Sequence, residues 1–111
     1  MKISYRTSLV LLALAAALPA GAKAAGDPAA GKIKAFTCMG CHGIVGYNNV
    51  YPTYKVPKLG GQHAQYLVAA LQAYKNGQRS HGTMQAQAQT LSEQDMQDIA
   101  AFFAQNGGNG D

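Results

Sequence analysis

Apolar residues along the chain form one unbroken run near the start and then three stripes at helical spacing. The first stripe predicts a helix from about Pro28 to Cys41. Asp27 is placed to cap it, Pro28 takes the first helical position, and Ile33, Phe36 and the cysteines supply its apolar side. The second predicts a helix from about Gln62 to Asn76, with Tyr66, Leu67, Ala70, Leu71 and Tyr74 on one face and Asn76-Gly77 as its stop. The third runs from about Ser92 to Gln105. Ser92-Glu93-Gln94-Asp95 opens it as a capping box, Met96, Ile99, Ala100 and Phe103 form its buried stripe, and Asn106-Gly107-Gly108 ends it. The connections 43–61 and 77–91 show no sustained alternation of strand type, and no segment repeats. The pattern predicts an all-α domain of three main helices.

The unbroken run, Leu9 to Leu18, follows Lys2 and Arg6 and precedes Ala20-Gly21-Ala22 and Ala22-Lys23-Ala24. Charge, apolar stretch and small residues in that order make a secretory signal peptide over 1–24, cut between about 22 and 25. The run is short of the roughly 20 residues that span a bilayer, which weighs against an uncleaved anchor. The remainder divides into a domain over 25–106 and a flexible, glycine-rich tail over 107–111. Removing the leader changes the charge. The 111-residue chain carries +4, but beyond Ala24 six Lys and Arg face five Asp and Glu, leaving +1. No sustained basic face with aromatic readers remains, which excludes nucleic acid as a partner. A domain of this size buries little core, and this one has no Trp, so something other than side chains is expected to fill the centre.

Cys38-Met39-Gly40-Cys41-His42 supplies the candidate. Two thiols two residues apart on a helical turn can each bond one vinyl group of a porphyrin, and the next residue, an imidazole, stands beside the iron; C-x-x-C-H is the attachment signature of haem c. The same cysteines admit a disulfide, a redox dithiol or half a zinc site. The dithiol expects a βαβ context and the zinc site a second ligand pair, and neither is present in the sequence. A haem iron has a second axial position. Met84 is the foremost candidate, because it lies in the polar stretch Gly82-Thr83-Met84-Gln85 with no helical stripe to explain it; a gap-filling role is its alternative. Met39 lies between the thiols and Met96 belongs to the third stripe. His81 is the rival, and His63, opening the second helix, reads as an exposed or capping group.

Taken together, Ala30-Gly31-Lys32, Cys38 to Gly43, Pro57-Lys58-Leu59-Gly60-Gly61-Gln62-His63, Tyr66-Leu67, Met84, Leu91 to Asp95 and Ile99 to Phe103 resemble the class I c-type cytochromes, and within them one haem domain of the cytochrome c-four type. The resemblance implies a compact helical fold around one covalent haem c, with the first and last helices crossing at Gly31 and with Phe36, Ile99 and Phe103 nearby. It implies that the Pro57 carbonyl accepts from the second ring nitrogen of His42, that Leu59 packs on the haem, and that His42 and Met84 are the axial ligands. Arg79 and a tyrosine among Tyr47, Tyr51 and Tyr54 are weaker candidates for the propionates. Two-domain relatives carry such a unit twice, and this chain carries it once.

The expected activity is outer-sphere, single-electron transfer in the periplasm between redox proteins, with peripheral contact to membrane respiratory complexes. Lys55, Lys58, Lys75 and Arg79 are either a docking face for acidic partners or a solvated surface. Two other functions fit the sequence. One is the cytochrome subunit of a larger periplasmic oxidoreductase, or a pairing with a second copy. The other is a gas-binding or peroxidatic haem protein, which needs an open axial position.

Overall fold

The computed structural model describes residues 26–105 together with Gly107 and Gly108; the signal sequence expected over 1–24 and residues 109–111 of the expected tail lie outside the described residues. Among the described residues five helices and one hairpin follow in order: α1 (Pro28–Lys34), α2 (Phe36–His42), β1 (Asn48–Val50), β2 (Thr53–Lys55), α3 (Ala64–Lys75), α4 (Gly82–Gln89) and α5 (Glu93–Ala104). α1 crosses α5, and α3 packs against both α4 and α5.

α1 begins where the sequence predicts, with Pro28 in its first turn and the Asp27 carboxylate accepting from the Ala29 amide. It does not continue to Cys41. The chain breaks at Ala35, whose amide donates to both Gly31 and Ile33 and whose ψ of 4° is not helical. The break sinks Ala35 fully into the core and leaves Ile33 and Phe36, expected on the buried side, 78% and 81% exposed. The buried face of α1 is instead its glycine. A Cβ on Gly31 would stand 1.9 Å from the Asp98 carbonyl oxygen, so the two backbones are in direct contact.

Charge closes the same crossing. The buried Asp98 carboxylate accepts from the Asp27 amide at 2.8 Å, the Gln94 side chain at 2.9 Å and the Lys34 ammonium at 2.6 Å. Lys34 also reaches Asp95 at 2.8 Å. The Lys34 ammonium is the main reason the Asp98 carboxyl is lowered to about 2 and Asp95 falls below the usual carboxylate range. Asp95 also completes the capping box with Ser92 that the sequence predicts for α5.

The core joins Leu67 and Val68 of α3 to Met96, Ile99, Ala100 and Phe103 of α5, with Ala35 beneath. Met96 is fully buried there, in the core role its stripe implies. The two connections hold more structure than expected. Asn48–Val50 pairs antiparallel with Thr53–Lys55, and each strand turns only its middle residue inward, too short a run for alternation to register. Gly82–Gln89 is a helix although its residues form no apolar stripe; only Ala88 is buried. Past α5, the Gly107 amide returns to the Phe102 carbonyl at 3.1 Å.

Candidate functional site

The helices leave a cavity of about 400 Å³ between them. Cys38, Cys41 and His42 of α2 line it, as do Leu67 and Leu71 of α3, Met84 of α4, and Ile99 and Phe103 of α5. The connection after the hairpin adds Pro57 and Leu59. The hydrophobic centre of the domain is thus built around a space rather than filled, as the missing Trp and small core anticipate.

α2 positions the thiols. Seven residues of helix from Phe36 to His42 place Cys38, Cys41 and His42 within one turn. The thiols are not bridged, which sets aside the disulfide, and burial raises the Cys38 pKa. Among the described residues no group of three or more His, Cys, Asp and Glu side chains could hold a metal ion, which sets aside the zinc site. His42 is oriented by the backbone: its Nδ1 lies 2.7 Å from the Pro57 carbonyl oxygen. A carbonyl only accepts, so Nδ1 carries the proton and Nε2 keeps its lone pair for another partner. The connection that holds Pro57 is itself fixed to α5, where the Gly61 amide donates to the Phe103 carbonyl at 2.8 Å.

Met84 shares the cavity with His42, but on a helix rather than in the open stretch the sequence suggested. His81 also lines the cavity and at the same time caps α4, its Nδ1 accepting from the Met84 amide at 3.4 Å. His63 is exposed at the start of α3 with no side-chain cap bond. Met39 packs against the core.

Of the basic residues, Lys55, Lys58 and Arg79 line the cavity, and among the described residues no acidic side chain does. Arg79 also lies over the Tyr74 ring at 4.7 Å. Lys75 is not among them; its ammonium donates to the Leu91 carbonyl and ties α3 to the start of α5. Of the three candidate tyrosines, Tyr54 lines the cavity, whereas Tyr51 is 95% exposed at the hairpin turn. The contact of Tyr54 with His81, ring centroids 4.7 Å apart and nearly perpendicular, had no signal in the sequence, because nothing in either segment's pattern links them.

The donor set fits haem c: two free thiols at the required spacing, an imidazole with one nitrogen committed to a carbonyl, and a thioether, around an apolar cavity. A helical domain with such a centre defines the class of small covalent haem carriers. Comparison with known proteins narrows the class. Residues 28–106 match the family model for cytochrome c. The chain is 46% identical over 83 residues to cytochrome c-554(548) of Halomonas halodenitrificans, an alignment covering 72% of this chain and 96% of that one. It is 45% identical over 96 residues to cytochrome c4 of Pseudomonas aeruginosa, covering 86% of this chain and 46% of the relative. The crystal structure of reduced recombinant cytochrome c4 from Pseudomonas stutzeri superposes with a TM-score of 0.55 at 28% identity, over 72% of this chain and 50% of that one. The chain belongs to the cytochrome c family, electron carriers with covalently attached haem c. It resembles a single domain of the c4 type and spans about half the length of the cytochromes c4 it matches.

Proposed function

We propose that this chain is a periplasmic, mono-haem electron carrier, exported by the signal sequence over 1–24, with Cys38 and Cys41 as the covalent anchors and His42 and Met84 as the axial donors. The bond from His42 Nδ1 to the Pro57 carbonyl carries the reading, because it holds the imidazole in the tautomer that an axial donor requires. When bound, haem supplies a reversible one-electron ferric–ferrous couple. The chain's own residues set its conditions. The carbonyl of Pro57 makes His42 a stronger donor. The Met84 thioether favours the reduced form and raises the potential relative to a second imidazole. Leu59, Leu71 and Phe103 keep water from the centre. His42 and Met84 would both be donors to a bound haem, leaving no position for a substrate, and electrons would leave for partner proteins at the cavity's edge.

The test is the ferric spectrum of wild type and Met84→Ala. The far-red band of a thioether–iron bond is expected in wild type and absent from the variant, and carbon monoxide is expected to bind the ferrous variant but not ferrous wild type. A band that survives the substitution removes Met84 from the iron. Carbon monoxide binding to wild type would favour the gas-binding alternative.

A further inference from the structure

α4 is held by its neighbours rather than by an apolar face of its own. It spans eight residues, shows no apolar stripe and buries only Ala88. A helix this short is not stable by itself. Its first turn, which carries Met84, is secured from outside by two aromatic side chains. His81 caps it through the Met84 amide. Tyr54 stands edge-on to His81, with the ring planes at 86°, and its hydroxyl lies 3.4 Å from the Thr83 hydroxyl.

Tyr54 comes from the hairpin, and this explains what the hairpin does. Its strands are three residues each, and Tyr54 is the one residue of β2 that is not exposed. An isolated two-stranded hairpin is marginal in water. The hairpin and the first turn of α4 therefore brace each other through one ring pair, 27 positions apart in sequence and both facing the cavity.

We propose that Tyr54 and His81 are positioning residues for Met84: their ring pair, bridging the hairpin to the first turn of α4, sets where the Met84 thioether stands in the cavity. The proposal rests on Met84 being an axial donor. It also gives His81 a role other than rival ligand. A thioether is a weak donor, and how firmly it stays on the iron depends on how often the segment carrying it opens. Loosening the first turn of α4 should let an added ligand displace the thioether more readily.

Imidazole, added stepwise to the haem-loaded ferric protein, measures this directly through loss of the far-red band. His81→Ala is expected to bind imidazole about fivefold more tightly than wild type, the size of losing one N-cap hydrogen bond. Tyr54→Leu is expected to shift in the same direction. His81→Asn, which keeps a capping acceptor but offers Tyr54 no ring, is expected to recover only part of the wild-type resistance. Unfolding in denaturant, followed by helical signal, runs alongside. Wild-type imidazole affinity in both His81→Ala and Tyr54→Leu overturns the proposal, even if both unfold more easily, because the ring pair is then merely structural. Met84→Ala separates the two readings. If wild type lacks the far-red band, Met84 is not a donor and both readings fall. If the band is lost in Met84→Ala while the two ring variants behave as wild type, the positioning role alone falls.

Discussion

The missing side chain at Gly31 governs how closely the two end helices approach. A methyl group there would meet the backbone of α5 at Asp98, which has no flexible end to move aside. Gly31→Ala is expected to lower the unfolding free energy by about 3 kcal/mol, the upper part of the range for overpacking. Gly40, between the two cysteines, is the internal comparison: a Cβ there meets nothing within 4 Å. Gly40→Ala is expected to gain about 0.5 kcal/mol from reduced freedom of the unfolded chain. Guanidinium titration of the haem-loaded variants checks both, and an unchanged midpoint for Gly31→Ala would contradict the close crossing. Some residues are legible in a sequence because their chemistry is unusual. The Cys38–His42 pentapeptide stands out by type, whereas the roles of Gly31 and Pro57 come from the resemblance to class I cytochromes. Ile33 and Phe36 do not announce their exposure, because the break that turns them outward falls at an alanine, a residue that marks no break.

At the scale of elements, α3 and α5 follow from periodicity because each presents a wide apolar face to one core. α4 escapes such a reading since its neighbours, not its own stripe, hold it. The contact between α1 and α5 adds a charge that the sequence alone does not pair. Asp95 and Asp98 are lowered from an ordinary 3.8, chiefly by Lys34, so their contribution is complete above about 3.8 and is lost as pH falls through the lowered values, about 2 for Asp98. Lys34 is raised from 10.5, so its contribution is complete below that value and disappears only in stronger base. Wild type is therefore expected to be more stable than Lys34→Gln at neutral pH, and the two denaturation midpoints should converge as acid protonates the carboxylates. Parallel curves across that range would show that the ion pair does not tie the helices.

Over the whole molecule, the charges that line the cavity are of one sign among the described residues. Lys55, Lys58 and Arg79 line the cavity, while Asp27, Glu93, Asp95 and Asp98 do not. A net charge says nothing of this arrangement, which is why the sequence leaves both a docking and a solvated reading of the basic residues open. The arrangement favours approach by anions. Electron transfer to a small anionic redox reagent is expected to slow with added salt, and transfer to a cationic reagent to quicken, both read by stopped flow. Identical salt responses for the two reagents would make the basic residues a solvated surface only.

The crossing of α1 with α5 also orders events in time. Asp27 and its partner Asp98 are 71 positions apart, so the contact that seats α1 requires α5, the last of the described helices. For a chain made from its amino end, such distant pairings form late, after the long intervening loop has been closed. The Cys38–Cys41 segment is therefore synthesised early and enclosed late. The thiols meet the wall that Ile99 and Phe103 supply only once that crossing has formed.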